Sequence, residues 1–398
     1  MFFLYFALYT CFLLNVDAVH CQMLYLLFYP FKPMHNFITR LLKGPVSKMA
    51  NRYSTDPDPE RIHKALSELR IAIKTDPGKK GLVIPFTPTQ KFIVFSDQHK
   101  GAKDGSDDFA NCEENYLSAL KHYNQNEYHL IALGDCEELW ENSLESIKKN
   151  NTTTFDAEAT FLKRNAFTKI YGNHDLYWDN DPFAGLQLET IFGEKVPIYE
   201  GVILETTINN RQFEIFMTHG HQGDKVSDGN AFSKWFIANI WAPLQNYLQL
   251  NLNTPAYDNQ LKTEHNRLMY EWSARESNLI LITGHTHQPV FESLTYLERL
   301  YKNLSAAKLE ANTSAVEKFE KEIQVRQSLG EILPDFTAYQ PCYFNSGCCC
   351  FIDGDITGIE IKGEMIKLIK WKKVEGVSKR ILLEEMLLEK CLMKPIPT

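Results

Sequence analysis

The 398-residue chain lacks several features that would classify it quickly. It has no Cys-x-x-Cys pair, so neither a structural zinc site nor a redox dithiol of that type is indicated. Three of its nine cysteines, Cys348, Cys349 and Cys350, are consecutive, and strand neighbours point to opposite faces, so no disulfide framework is expected. They read as a buried or half-buried strand in a reducing compartment. Positive charge is not in surplus: 42 Lys and Arg against 50 Asp and Glu leave a net charge of -8. That argues against a broad nucleic-acid face. There is no long low-complexity stretch, and the 44% hydrophobic, 23% charged composition is that of an ordinary globular protein.

The amino end also lacks something. No Lys or Arg precedes the apolar residues 1–14, so the positive n-region of a signal peptide is missing. The run is shorter than the roughly 20 residues that a membrane span needs. A second apolar piece at 23–31 precedes Lys32, Arg40, Lys43 and Lys48. Residues 1–48 therefore read in three ways: a signal peptide, a membrane anchor, or sequence upstream of a start at Met34 or Met49. The cysteine usage favours a cytoplasmic body, with membrane association or secretion as the alternative. The sequons at Asn151, Asn303 and Asn312 lean toward secretion.

What the chain does have is a recurring pattern in which an apolar run ends in metal-binding residue types. The segments are Asp97-Gln98-His99, Gly134-Asp135, Gly172-Asn173-His174-Asp175, Thr218-His219-Gly220-His221 and Gly284-His285-Thr286-His287. Runs such as Phe92-Ile93-Val94-Phe95 and Leu279-Ile280-Leu281-Ile282 suit strands buried on both faces. Ligands at the carboxyl ends of such strands lie on loops along one sheet edge, where α/β enzymes build their sites. Aspartate, asparagine and histidine together offer mixed oxygen and nitrogen ligation, which suits Mn, Fe or Zn better than Mg or Ca. The candidate ligands suit two metal ions sharing a bridging carboxylate.

The order Asp-x-His, Gly-Asp, Gly-Asn-His-Asp, His-Gly-His, Gly-His-Thr-His resembles the calcineurin-like metallophosphoesterases over residues 92–371. That resemblance implies an α/β fold, a two-sheet β-sandwich flanked by helices in αββα layers. It implies that Asp97, His99 and His287 hold one divalent ion and Asn173, His219 and His285 a second, with Asp135 bridging. His174 would face the leaving group, with Asp175 as its orienting partner. The implied activity is hydrolysis of a phosphodiester or pyrophosphate bond by a metal-activated hydroxide. The alternatives are a phosphomonoesterase, a nuclease, or a non-catalytic scaffold on the same fold. Gly134-Asp135-Cys136-Glu137-Glu138-Leu139-Trp140 is similar to the Gly-Asp-x-Phe-Glu-x-Trp pattern of UDP-diacylglucosamine pyrophosphohydrolases, with Glu137 in the aromatic's place. The Asp-Arg-Gly of serine/threonine phosphatases and the tyrosine of purple acid phosphatases are absent there. Uncharacterised bacterial-type metallophosphoesterases match these segments more closely. The expected partner is a small phosphorylated substrate, with a nucleotide and a lipid-linked compound as the candidate kinds; nucleic acid is disfavoured, and the oligomeric state is open.

The rest of the chain organises around this pattern. A helical lead-in is expected over 49–90, with apolar residues at helical spacing from Ile62 to Ile73. The phosphoesterase domain is expected over 91–372 and a C-terminal helix over 373–398. Runs at 201–204 and 213–217 flank Asn209-Asn210 and read as a hairpin feeding His219. Two helical insertions are expected, at about 232–272 and 298–329. The first carries Trp235, Phe236, Trp241, Tyr247, Tyr270 and Trp272, either a substrate-receiving cap or the buried stripe of amphipathic helices. Arg267, Lys225 and His221 are the candidate substrate contacts.

Overall fold

A computed structural model describes residues 57–104, 107–223, 259–331 and 340–392. Strands β1 (Gly81–Pro85) and β2 (Lys91–Phe95) follow helix α1 (Pro59–Thr75), and β2 leads through α2 (Glu113–Gln125) to β3 (His129–Leu133). Helices α3 (Leu144–Asn150) and α4 (Thr152–Leu162) lead to β4 (Phe167–Ile170), then α5 (Tyr177–Asn180), α6 (Ala184–Phe192) and β5 (Ile198–Tyr199). The hairpin β6 (Gly201–Ile208) and β7 (Arg211–Thr218) precedes α7 (Asn259–Ser273) and β8 (Leu279–Thr283). After β9 (Val290–Phe291) and β10 (Leu294–Thr295) come the helical pair α8 (Tyr296–Leu309) and α9 (Thr313–Ser328). The chain closes with β11 (Tyr343–Asn345), β12 (Ile356–Lys362), β13 (Met365–Val374) and β14 (Val377–Leu387).

Among the described residues the strands form two seven-stranded sheets, ordered β1-β6-β7-β8-β11-β9-β10 and β14-β13-β12-β2-β3-β4-β5. The short apolar runs explain how they stack. Strand side chains alternate between faces, so a run that is apolar throughout must be covered on both. Phe92 and Val94 of β2, Ile131 and Leu133 of β3, and Ile280 and Ile282 of β8 share one core between the sheets. Their neighbours face outward: Ile93, Phe95 and Leu130 pack with Tyr116 and Leu120 of α2, while Leu279 and Leu281 pack with Leu66 and Leu69 of α1. The layers are helix, sheet, sheet, helix, as expected. Strands β2, β3, β4 and β5 run parallel, as do β7, β8 and β11, so their carboxyl ends gather along one edge of each sheet.

The expected hairpin forms across Asn209 and Asn210, both at positive φ (50° and 61°), the pairing geometry of a two-residue turn. Helix α1 opens on the Asp58 cap, with Pro59 in its first turn, and buries Ile62, Leu66, Leu69 and Ile73. The lead-in is more than helical, however: β1 pairs in parallel with β6 and belongs to the sandwich.

The C-terminal helix is corrected. β13 continues through the expected boundary at 372, turns at Glu375-Gly376 (φ 54° and 77°), and pairs with β14 along its length. Leu and Glu favour helix locally, but a two-residue turn and a waiting strand partner override that preference. The cysteine run is also not a strand; Cys348, Cys349 and Cys350 form a loop bent at Cys349. The second insertion is the α8–α9 pair, which closes a small apolar cluster of Leu297, Leu300, Leu304 and Ile323. Of the first insertion, Tyr270 and Trp272 on α7 are core residues, and Trp272 Nε1 donates to Ser67 Oγ at 2.9 Å. Trp235, Phe236, Trp241, Tyr247 and residues 1–48 lie outside the described residues. Among those described, no helix is long and apolar enough to cross a membrane.

Ile282 is fully buried between the sheets, one residue before the loop that follows β8. Ile282→Ala is expected to cost about 2–5 kcal/mol of unfolding free energy, read by urea denaturation. A cost below about 1 kcal/mol would contradict a sandwich packed at this point.

Candidate metal centre

Each candidate ligand stands just past a strand end: Asp97 and His99 after β2, Asp135 after β3, Asn173 after β4, His219 after β7, His285 and His287 after β8. The turns are sharp. Asp97, His99, Asp135, His285 and His287 all have positive φ, between 50° and 69°. Non-glycine residues enter that region at a cost, and such outliers cluster at functional sites. The loops hold one another in place. Asp97 N–H donates to Gly134 O at 3.0 Å, His99 N–H to Asp135 O at 2.9 Å, and Gly284 N–H to His219 O at 3.0 Å. Two glycines are required by close approach. A Cβ on Gly172 would lie 2.2 Å from Asp135 Oδ1, and one on Gly284 would lie 2.4 Å from Asp97 Oδ2.

Six of the seven side chains converge. His219 Nε2 lies 3.1 Å and His99 Nε2 3.7 Å from Asp135 Oδ2, and His287 Nε2 lies 3.2 Å from both Asp97 Oδ1 and His99 Nε2. Ligand atoms of Asp97, His99 and Asp135 lie within 4.8 Å of one another, as do those of Asp135, His219 and His285. Backbone donors fix the carboxylates: His285 N–H reaches both oxygens of Asp97 at 3.1 Å, and His174 N–H reaches Asp135 Oδ1 at 2.8 Å. His219 Nδ1 is directed to Leu133 O at 2.9 Å, which leaves Nε2 for the centre.

This donor set fits a cation. Asn173 Oδ1 and His285 Nε2 are buried without a hydrogen-bond partner, a costly state unless an ion completes them. Burial opposes charge on His99, yet Glu138, Asp135 and Asp97 raise it to about 10. Against the same opposition, Asp135 and Asp97 raise His219 to about 9, and Cys348 and Asp97 raise His287 to about 9. The buried carboxylates therefore demand positive charge. A divalent ion supplies it and leaves the imidazoles neutral, the form in which they ligate.

His174 lies beside this cluster, its ring centroid 4.7 Å from that of His99. The expectation for Asp175 is corrected. Its carboxylate accepts from Gly172 N–H at 2.5 Å and Cys136 N–H at 2.8 Å, tying the β4 loop to the β3 loop. The His174 ring is held instead by Glu138, whose Oε2 lies 2.7 Å from Nδ1 of both His174 and His99. Trp140 stacks on His174 with centroids 4.1 Å apart and planes 21° apart. Burial works against the charge on Glu138, but His174 and His99 hold it down at about 2. Sequence reasoning assigned Glu138 no role; the available signal was an acidic pair directly behind a ligand-bearing loop. The pair divides its work. Glu137, standing where the similar pattern has an aromatic, is fully buried and meets Lys169 at 2.8 Å, Lys100 at 3.3 Å and Trp178 Nε1 at 2.7 Å.

Among the candidate substrate contacts, His221 is buried with its ring centroid 5.5 Å from that of His219. Arg267 is not brought to the cluster. Its guanidinium binds Glu264 and Glu271 of its own helix, so the partners one turn away satisfy it. Lys225 lies outside the described residues.

The calcineurin-like phosphoesterase family model matches residues 90–289, half of the chain. The chain belongs to that family, which makes it in general a metal-dependent phosphoester hydrolase. Among solved structures it is similar to Vacuolar Protein Sorting 29 from Cryptosporidium parvum, at 13% identity and TM-score 0.29, covering 75% of this chain and 98% of that one. Wild-type Vps29 complexed with zinc, from Entamoeba histolytica, is similar at 13% identity and TM-score 0.29, covering 75% and 99%. A protein serine/threonine phosphatase from Saccharomyces cerevisiae with similarity to human phosphatase PP5 matches at 12% identity and TM-score 0.23, covering 61% and 76%. No curated protein matches the chain.

Gly172→Ala tests the close approach. The added methyl displaces Asp135, so divalent metal affinity is expected to fall tenfold or more, roughly the loss seen when a ligand's support is removed. Circular dichroism should be unchanged. Unaltered affinity in the folded variant would contradict the geometry.

Proposed function

We propose that this chain hydrolyses a phosphodiester or pyrophosphate bond at a centre for two divalent ions of the Mn, Fe or Zn type. Asp97, His99 and His287 would hold one ion and Asn173, His219 and His285 the other, with Asp135 available to both. The observation that carries this reading is the convergence of six donor side chains from four strand ends beside His174, with the buried, unpartnered Oδ1 of Asn173 at a fifth. When bound, such ions polarise phosphoryl oxygens and lower the pKa of water, so the reaction needs no covalent nucleophile from the protein.

The protein's own contribution is to position groups and to manage a proton. Glu138 accepts a hydrogen bond from Nδ1–H of His174, which leaves Nε2 to carry the proton given to the leaving oxygen. Trp140 fixes the ring plane, so the proton is presented in one direction. Because Glu138 also holds His99, one carboxylate sets the spacing between acid and ligand. Asp175 braces the two loops that carry Asp135 and His174. The substrate is read as small and phosphorylated, a nucleotide or lipid-linked pyrophosphate being consistent with the shared Glu138 and Trp140.

Asp135→Asn is expected to lose metal and activity together. His174→Ala should retain metal but slow turnover about 10²–10⁴-fold, most for substrates with poor leaving groups, and Glu138→Gln should slow it in the same direction. The measurement is metal analysis with Mn-dependent hydrolysis of an aryl phosphate diester and its monoester. Faster monoester hydrolysis would replace the diester reading with a phosphatase. Full activity in His174→Ala on every ester would remove His174 as the acid.

A further inference from the structure

The two nitrogens of His287 face different partners. Nε2 points into the centre, 3.2 Å from Asp97 Oδ1 and 3.2 Å from His99 Nε2. Nδ1 points to the loop between β11 and β12, where Cys350 Sγ lies 3.6 Å away. Phosphoryl transfer gives that sulfur no task. The adjacent Cys349 is turned away from the centre, its Sγ 3.9 Å from Thr357 O, and packs with Phe95 and Tyr116 under α2.

Cys350 belongs to a further set of donors. Ligand atoms of His99, His287 and Cys350 all lie within 4.8 Å of one another. This set differs from the two that contain Asp135 in its chemistry and its place. It holds no carboxylate, and sulfur is the donor that selects zinc or copper(I) over manganese. It also lies nearer solvent: Cys350 is 7% exposed and the His99 and His287 side chains 11% and 15%, whereas Asp97 and His219 are fully buried. The 3.6 Å between Cys350 Sγ and His287 Nδ1 matches one edge of a zinc tetrahedron. Bonds of about 2.3 Å to sulfur and about 2.0–2.1 Å to nitrogen place two such donors roughly 3.5 Å apart.

We propose that His99, His287 and Cys350 form a soft-metal site, filled by zinc in excess, that competes with the two-ion centre for both histidines. The inference rests on reading His99 and His287 as ligands of that centre. Competition follows from the imidazole itself. A neutral ring has one lone pair, so when His287 ligates through Nδ1 its proton stands on Nε2 and is donated to Asp97 Oδ1. Asp97 then keeps a hydrogen bond but loses His287 as a co-ligand. His99 Nδ1 is held by Glu138, so its Nε2 serves one ion or the other. The Cys350 thiol releases its proton to water as the zinc–sulfur bond forms. Excess zinc therefore draws both histidines away from Asp97 and Asp135 and stops phosphoester hydrolysis.

The test titrates zinc chloride into the full chain loaded with Mn²⁺. Release of Mn²⁺ is followed by electron paramagnetic resonance, and zinc-edge X-ray absorption reads the ligands. The expected result is release of Mn²⁺ together with a sulfur neighbour at about 2.3 Å from zinc. Cys350→Ser should show no sulfur neighbour and should need about tenfold more zinc for the same release. Cys349→Ala should behave as the parent does. Zinc with only nitrogen and oxygen neighbours, in protein that binds Mn²⁺, overturns this inference alone. So does a sulfur neighbour that persists in Cys350→Ser, or one that forms while Mn²⁺ stays bound. A protein that binds neither Mn²⁺ nor zinc overturns the proposed function and this inference with it.

Discussion

The structure depends on the burial of two carboxylates, Asp97 and Asp135, where the edges of the two sheets meet. A buried carboxylate is tolerated only when charge and hydrogen bonds compensate it. Backbone N–H groups of His285 and His174 supply part of that compensation, and the histidines around them supply the rest. The result is a site whose electrostatics favour a cation in its centre. The surrounding loops follow from that demand, because each must bring a donor to one small volume from a different strand.

Bringing five loops to one point has a steric cost, and the backbone carries it. Five of the seven candidate ligands adopt left-handed φ, and two glycines leave room where a methyl group would collide with a carboxylate oxygen. Such strain persists only when the surroundings over-determine it. The surroundings here are two faces of close-packed strand residues and a buried ionic group of Lys100, Glu137, Lys169 and Glu158 behind the β2, β3 and β4 loops. A buried network of this kind adds little net stability, but removing one member leaves another charge uncompensated. Its location suits a rigid backing for the loops.

The strands and the candidate donors were legible in the sequence because two signals coincide there. Apolar runs such as Phe92 to Phe95 mark strands buried on both faces, and the donors follow each run at the same position. The Asn209-Asn210 turn was legible for the same reason, as its residues are those that accept positive φ. The role of Glu138 was not, because it depends on how the β3 loop meets His99 and His174, and that distance has no signature in a single segment. Asp175 was misread by adjacency: its neighbour in sequence is His174, but its neighbours in space are the backbone N–H groups of Gly172 and Cys136. Arg267 was misread because its partners Glu264 and Glu271 lie on the same helix. The β14 strand was hidden by helix-favouring residues whose fate is set by the pairing partner across Glu375-Gly376.

The central claim is that seven side chains surround two cations rather than one or none. Anomalous diffraction from crystals of the full chain grown with Mn²⁺ tests it directly. The account predicts two peaks roughly 3.5–4 Å apart, one flanked by Asp97, His99 and His287, the other by Asn173, His219 and His285, with Asp135 between them. A single peak, a peak held by His174 and Glu138, or no peak at saturating metal would contradict it.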